Sequence, residues 1–539
     1  MAFGSRQYAA FALLLSLAIQ AAARQSYQQA CRESNAGDPE FCISTLAKYG
    51  LEGMDVARGA PGRFELVSSA LRASLDGVHE EIQMCQSYGG GTTTSSALTS
   101  SNDGELASSK FRKVAIDDCV ELLTGASEMI GDSLGSSLRN ASTSRLNDVH
   151  TWVSSALAYQ TTCLDGLSQI SPGQEVVFQL SQEGSKVGRR ISTALAFIAT
   201  LQSISPTSGT INDVSWVPEL LKKKHKKAVT ANVIVAQDGS GRYSTIKQAV
   251  EAAPSKSGST YVIYIKAGTY RETVSVPKSK TNLMFVGDGI GKTIITGSKS
   301  VSDGVTTFRT STVEINARGF LARDLTIRNT AGAAKHQAVA LRVSADKVAF
   351  YKCSFEGYQD TLYTHVARQF YRECIVYGTV DFIFGDAAAV FQSCTLLARK
   401  PMAKQKNTIT AQGRTDPNQN TGLSFQDCSV DGTQDLKGSG TPTYLGRPWK
   451  KYSRTVFLRC YMGSVVNPAG WLEWDGSFAL KTLYYAEYQS KGPGSGTGNR
   501  VGWSSQMSSS VVANKFTAGS FISGSDWLGQ TSFPYSLGI

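Results

Sequence analysis

The stretch "GYQDTLYTHVARQFYRECIVYGTVDFIFGDAAAV" (residues 357–390) carries two aspartates, Asp360 and Asp381, inside what otherwise reads as apolar strands. A carboxylate among Val, Phe and Ile is expensive to desolvate unless it has partners or a task. The two lie 21 residues apart, and neighbouring positions repeat that interval. Gln337 precedes Asp360 by 23 residues, Cys353 precedes Cys374 by 21, and Cys374 precedes Cys394 by 20. A series of short β-rich runs broken by Gly, Asn and Asp fits a sandwich, a propeller or a solenoid. A recurrence of 20–23 residues favours the coil of a parallel β-helix. Coils stack about 4.8 Å apart, so residues one coil apart become direct neighbours. That spacing brings Cys374 within disulfide reach of either Cys394 or Cys353.

Upstream of Ala231 the pattern differs. "LASSKFRKVAIDDCVELLTGASEMIGDSLGSSL", "LNDVHTWVSSALAYQTTCLDGLSQI" and "SPGQEVVFQLSQEGSKVGRRISTALAFIATL" space their apolar residues at three and four, the period of amphipathic helices. The reading is two domains: an all-α four-helix bundle followed by a right-handed parallel β-helix. Cys119 and Cys163 sit in adjacent helical segments and are placed to tie them. Cys31 and Cys42 are placed to close a small hairpin ahead of the bundle.

Charge divides the same way. Residues 24–221 hold 14 Lys and Arg against 22 Asp and Glu, whereas residues 228–539 hold 34 against 21. The run "KKKHKK" (222–227) lies between them. A basic domain points to a polyanionic partner, either nucleic acid or an acidic polysaccharide. The N-terminus, "MAFGSRQYAAFALLLSLAIQAAARQ", has a basic residue (Arg6) ahead of a short apolar stretch and small residues ending at Ala23, the pattern of a secretory signal. Secretion sets nucleic acid aside as a partner. "NAS" at Asn140 is the one glycosylation sequon. The ten cysteines divide five and five between the halves, so some thiols stay free and buried. No pair is spaced C-x-x-C, which argues against a zinc site or a redox pair. His79, His150, His225, His336 and His365 show no ligand spacing, so no metal and no cofactor is expected.

Two motif matches are decoys. "GDSLG" (131–135) fits a nucleophile elbow around Ser133, but the residues before it have helical period where a strand is required. "GDGIGKT" (287–293) lacks one residue of a P-loop and reads as a turn between coils.

If Asp360 and Asp381 stand one coil apart, two carboxylates meet Gln337 and Gln359 in one groove. Close carboxylates titrate apart, so one stays ionised while its neighbour keeps a proton. An ionised Asp can attack a carbonyl, a protonated one can donate to the leaving group, and the amides can hold the oxyanion. The set supports acyl transfer without Ser or His. Residue chemistry alone leaves a second reading open, a polar ladder that satisfies buried backbone groups.

"GTYRE" (268–272), "HQAVALR" (336–342), "GYQDTLY" (357–363), "YGTVDFIFG" (377–385) and "YLGRPW" (444–449) resemble the plant pectin methylesterases. "ITAQGRTDPNQNTG" and "NPAGWLEW" extend the resemblance through most of 231–505. The first half resembles the pectin methylesterase inhibitor domain through its cysteines and helical grammar. The resemblance implies a signal peptide (1–23), an inhibitor-like, autoinhibitory pro-region (24–205), a basic linker or processing region (206–230) and a catalytic β-helix (231–539). It implies an aspartyl esterase of the cell wall that releases methanol and pectate from methyl-esterified homogalacturonan. Asp381 would be the nucleophile, Asp360 the acid and base, and Gln359 the stabiliser of the oxyanion. Gln337, Arg447, Trp449 and Thr307 would bind substrate, with Arg447 also holding the Asp381 carboxylate and Trp449 stacking on a sugar ring. The resemblance implies the disulfide Cys374–Cys394 and a monomer that meets an intramolecular or a separate inhibitor. Trp471 and Tyr270 either line the cleft or fill the core, and core filling is the better reading for Tyr270. The junction "VPELLKKKHKKAVTANVIV" departs from the family's Arg-containing processing motif, which leaves the action of a processing protease open. A polygalacturonase or lyase on the same fold, and an occluded pectin-binding or inhibitor protein, are the competing readings. The oxyanion-donating glutamines and the arginine of "GRPW" favour the ester.

Overall fold

The computed structural model describes residues 27–34, 37–49, 60–89, 103–136, 141–170, 175–204 and 230–539. The expected signal peptide, Asn140 and all but the last residue of the basic linker lie outside these residues. Contacts divide the chain into two units, Met1–Thr210 and Ile211–Ile539.

In the first unit, a short helix α1 (Pro39–Leu46) begins at Asp38, whose side chain accepts from the Phe41 amide, with Pro39 in its first turn. Four long helices follow: α2 (Ala60–Gly89), α3 (Asp103–Leu134), α4 (Thr143–Ser168) and α5 (Glu175–Ile204). α3 packs against α2 and α4, and α5 closes the ring against the same two, which makes the expected four-helix bundle. Leu71, Val78, Leu123, Val149, Val153, Val187 and Ile191 fill its core. The disulfides Cys31–Cys42 and Cys119–Cys163 are both formed, the second tying α3 to α4. Ser133 lies in α3, where its hydroxyl donates to the Met129 carbonyl at 2.8 Å. No nucleophile elbow exists there.

The second unit is a right-handed parallel β-helix. Every strand pairing in it is parallel, as the recurrence in the sequence requires. Its single two-turn helix, α6 (Ile246–Ala252), starts at Thr245, whose hydroxyl accepts from Gln248 N, and ends before Pro254. One face is a seven-stranded sheet that runs from Val274–Val276 through Leu341–Ser344, Leu362–Val366, Ile383–Gly385 and Asn407–Gln412 to Thr443–Pro448. The other two faces meet at a corner. The nine-residue strand Val348–Glu356 crosses that corner, and one coil later the same path is split into Arg368–Arg372 and Ile375–Gly378. A residue with left-handed backbone makes each bend: Lys352 (φ 51°), Glu373 (52°), Ser393 (53°), Asp427 (54°) and Arg459 (53°). "GDGIGKT" is a turn between Leu283–Gly287 and Thr293–Gly297.

The coils differ in length. Leu341, Leu362 and Ile383 pair in turn at the short spacing read from the sequence, but Ile383 pairs with Thr410 and Thr410 with Gly446, each a longer step along the chain. The longer coils extend as loops at the corners while the strands stay in register. Inside, Phe350, Tyr371, Phe391, Phe425 and Phe457 form a continuous stack with ring centroids 5.2, 4.4, 4.7 and 4.6 Å apart. Such pairs add about 0.5–1.5 kcal/mol each beyond their buried area. Tyr270 and Trp471, each 1% exposed, belong to this core and not to a cleft.

One expectation is corrected here. Cys374 and Cys394 form no disulfide and remain buried free thiols, as do Cys85, Cys353, Cys428 and Cys460. Each of the five β-helix cysteines follows a corner residue, so successive coils stack them in one column. Cys374 is flanked on both sides by a thiol, and backbone carbonyls accept from each, for example Phe350 O from Cys374 Sγ at 3.6 Å and Tyr371 O from Cys394 Sγ at 3.4 Å.

Candidate active site

The backbone ladder brings the two aspartates together. Leu362 pairs with Ile383, the Asp360 amide donates to Val380 O at 3.1 Å, and Asp360 therefore lies beside Asp381 on adjacent coils. Ala338 N donates to Gln359 O at 3.2 Å, which sets Gln337 and Gln359 on the next pair of coils. Both aspartates hold left-handed backbone, with φ of 62° and 52°, a conformation that costs of order 1 kcal/mol or more in a non-glycine residue and clusters at functional sites.

Asp381 is 6% exposed and fully engaged. Arg447 Nε donates to its Oδ1 at 2.9 Å and Arg447 Nη2 to its Oδ2 at 2.7 Å, a two-pronged pair. Thr408 supplies a third contact: its hydroxyl donates to Oδ1 at 2.6 Å and accepts from the Asp381 amide at 2.9 Å. Burial works against the Arg447 charge, but the hydrogen bonds and charge of Asp381 outweigh it and raise the guanidinium pKa. The other face of that guanidinium lies 4.3 Å from the centre of the Trp474 ring, and Trp474 is itself 36% exposed.

Asp360 has a different environment. Burial first, and the Asp381 charge second, push its carboxyl well above the usual range, against the pull of Arg447. The two acids therefore stand in different settings: Asp381 is held by Arg447, whereas Asp360 lacks that fork and favours its protonated form. Gln337 and Gln359 are half-buried on neighbouring coils, and their side-chain amides make no hydrogen bond to another described residue.

Aromatic contacts lead away from this centre. Trp449 meets Phe384 edge-on at 6.0 Å, Phe384 stacks on Tyr363 at 4.2 Å, Tyr363 touches His365 at 5.0 Å, and His365 touches Phe308 at 5.6 Å. Phe308 belongs to the 3-10 turn Thr307–Arg309, so Thr307 stands at the far end of this chain, beyond Asp360 and Asp381. Arg342 lies 3.6 Å under the Phe308 ring and pairs with Glu314. Burial, and then the Arg342 charge, hold His365 well below its ordinary pKa, so it is neutral. The structure brings Asp360, Asp381 and Arg447 into one cluster with Gln337, Gln359 and Trp449 beside it. Thr408, Trp474, Tyr363, Phe384 and Phe308 are part of the same region, and sequence reasoning does not single them out. Among the described residues no group of three His, Cys, Asp or Glu is placed to hold a metal ion, and no helix is long and apolar enough to cross a membrane.

Residues 232–525 match the family model for pectinesterase, and residues 25–197 match that for plant invertase/pectin methylesterase inhibitor. Pectinesterase 2 of Citrus sinensis is 49% identical over 442 residues, which is 81% of this chain and 84% of that protein. Pectinesterase/pectinesterase inhibitor U1 of Solanum lycopersicum is 41% identical over 547 residues, covering 97% of this chain and 91% of its own. Among solved structures, the pectin methylesterase from carrot is 58% identical with a TM-score of 0.57, and the match spans 58% of this chain and 99% of that one.

Proposed function

The chain belongs to the pectinesterase family, and from that premise we propose that Asp381 and Asp360 carry out its ester hydrolysis as nucleophile and as acid and base. It is a carboxylic ester hydrolase that removes methyl groups from methyl-esterified homogalacturonan, and it carries an inhibitor-like helical domain ahead of the esterase.

In the proposed cycle, an Asp381 oxygen attacks the C6 carbonyl of a methylated galacturonate. The tetrahedral oxyanion accepts hydrogen bonds from the Gln359 amide, with Gln337 beside it. As the C–O bond to the methyl group's oxygen breaks, Asp360 delivers its proton and methanol leaves. An acyl-Asp381 anhydride remains. Asp360, now a carboxylate, takes a proton from water, which attacks the anhydride and returns Asp381 and the free uronate. Arg447 keeps the Asp381 carboxylate aimed throughout. Trp449 stacks on a sugar ring and Thr307 contacts the chain further along the groove. The two-pronged Arg447–Asp381 pair, with the buried Asp360 beside it on the adjacent coil, is the observation that carries this assignment.

The remaining proposals concern the whole chain. Residues 1–23 act as a secretory signal and the product works outside the cell, in the wall. Residues 24–205 form an autoinhibitory pro-region, 206–230 a basic linker open to a processing protease, and 231–539 a catalytic monomer. The excess of basic over acidic residues after residue 228 suits a polymer that gains negative charge as it is de-esterified.

Methanol release from highly methylated pectin tests the reading, with the full chain and with residues 230–539, each as wild type and as Asp381→Ala. Galacturonan length is followed in the same samples. Methanol without chain shortening, abolished by the substitution, is expected. Shortening without methanol would show a glycosidase or lyase, and neither activity from a folded chain would show a binding or inhibitor protein.

A further inference from the structure

We propose that Asp386 is a positioning residue for Trp449, acting through the amides of Gln412 and Gln419; the inference rests on the reading of Trp449 as the residue that stacks on the sugar. Asp386 is 5% exposed and lies five residues beyond the nucleophile. Three side chains converge on it. Thr421 Oγ1 and Gln412 Nε2 donate to Oδ1 at 2.5 and 3.1 Å, and Gln419 Nε2 donates to Oδ2 at 2.7 Å.

The orientation of both glutamine amides is set from the other end. Gln412 Oε1 accepts from the backbone amides of Arg414 at 3.0 Å and Arg454 at 2.7 Å. Gln419 Oε1 accepts from the amides of Thr415 at 2.9 Å and Asp416 at 3.0 Å. Neither amide can turn over without losing two backbone donors, so both NH2 groups must face position 386. A carboxylate has acceptor sites for all three donors; an asparagine there would set its own NH2 against that of Gln419.

This cluster forms the support of Trp449. The indole lies on Gly413: a Cβ at 413 would stand 3.0 Å from Trp449 Cε3. Gly413 N donates to Gly385 O at 2.8 Å, and Gly385 directly precedes Asp386 as Gln412 directly precedes Gly413. The segment after Trp449 is fastened to the same place, with Tyr452 N donating to Arg414 O at 3.0 Å and Arg454 N to Gln412 Oε1. The backbone beneath the ring and the loop beyond it therefore both depend on where the Gln412 side chain sits, and Asp386 anchors the NH2 end that the two backbone donors leave facing it. The hydrogen bonds of the Asp386 carboxylate go to Thr421, Gln412 and Gln419 and not to the reacting carboxylates.

The test is a double-mutant cycle in whichever of the two forms assayed above releases methanol. Initial rates on methyl-esterified galacturonan are compared for wild type, Trp449→Ala, Asp386→Asn and the double variant. Trp449→Ala is expected to raise KM about tenfold with kcat within about twofold. Asp386→Asn is expected to raise KM about fivefold at similar kcat, and the double variant to be no worse than Trp449→Ala. Thr421→Val, which removes one donor and leaves the carboxylate, is expected to shift KM in the same direction by less. If Asp386→Asn does not fold, Thr421→Val is read in the same cycle. Effects that multiply in the double variant, or a fall in kcat or melting temperature with KM unchanged, would overturn the positioning role alone. An unchanged KM in Trp449→Ala would overturn the stacking role and this inference with it.

Discussion

Arg447 meets Asp381 with two parallel hydrogen bonds, Nε to Oδ1 at 2.9 Å and Nη2 to Oδ2 at 2.7 Å, across 66 residues of sequence. The fork fixes the plane of the carboxylate as well as its charge. A lysine would supply the charge as a point and leave the plane free. Arg447→Lys is therefore expected to lower kcat/KM by about 100-fold or more, while a merely electrostatic role would cost far less. Methanol release at saturating and limiting pectin measures the difference.

Thr408 holds the same carboxylate, donating to the Oδ1 that Arg447 Nε also reaches and accepting from the Asp381 amide. Thr408→Val keeps the shape and removes both contacts. Hydrogen bonds to charged groups contribute about 1.5–3 kcal/mol, so kcat should fall roughly tenfold or more with KM little changed. Thr408→Ser should recover most of the loss. A recovery in melting temperature without a recovery in kcat would mean that Thr408 serves the fold and not the nucleophile.

These two contacts differ in how far the sequence discloses them. Arg447 sits in "YLGRPW", a motif dense enough to be recognised, and the recurring short interval places Asp360 beside Asp381 once a coil is assumed. Thr408 is one threonine in "NTIT", and it reaches Asp381 only because the next coil is longer, a length that no repeated residue type marks. The same limit explains the cysteines. Nearly equal intervals on either side make Cys374 a neighbour of both Cys353 and Cys394, and spacing alone does not distinguish a crosslink from a column of thiols. In the helical half, apolar periodicity locates α3, α4 and α5, but α2 begins "APGRFELV" and is required only by the count of helices in a bundle.

The Asp360 carboxyl stands well above its usual range, chiefly through burial and then through the Asp381 charge. The folded state therefore keeps a proton that the unfolded chain has released, so the stability this group contributes is present below the ordinary carboxyl pKa and is lost as pH rises through the folded value. Catalysis should follow the same proton. kcat/KM is expected to decline on the alkaline side as Asp360 ionises and can no longer protonate methanol. Asp381→Asn removes the neighbouring charge and should lower the Asp360 pKa, measurable by carboxyl-carbon NMR titration. An unmoved pKa would assign the whole shift to burial and deny the coupling between the two acids.

Ten cysteines with two disulfides leave six thiols, of which five form the column inside the β-helix. Native protein should therefore react slowly with a thiol reagent, and denaturation without reductant should release all six. A count of four would show that one pair in the column, Cys374 with Cys394 by the family resemblance, is crosslinked after all. Peptide mapping of the alkylated protein would then identify the pair.

Glu81 gives the helical half a pH dependence of its own. Its side chain points from α2 into the bundle, fully buried, and neither carboxyl oxygen has a hydrogen-bond partner among the described residues. It faces Gly184 of α5, where a Cβ would come within 2.6 Å of Oε1, so only a glycine leaves room for it. Burial first and the charge of Glu183 second push its pKa up to about 8. One turn along α2, burial first and the Glu81 charge second push the Cys85 thiol up to about 12, so it stays neutral beside the carboxyl. Because the folded value lies above the unfolded one, the stability contributed by this group is fully present below the ordinary carboxyl range and is lost as pH rises through about 8. The slope is at most about 1.4 kcal/mol per pH unit, enough to lower the melting temperature of this half by roughly 10 °C between about pH 5 and 8. Glu81→Gln keeps the size of the side chain and removes the ionisation, so its melting temperature should stay level over the same range. Helical circular dichroism followed against temperature at several pH values compares the two. A variant as pH-dependent as the wild type would place the titrating group elsewhere in the bundle. A level wild type would mean that the core opens to water around Glu81 at no cost, and that the carboxyl ionises as it would in solution.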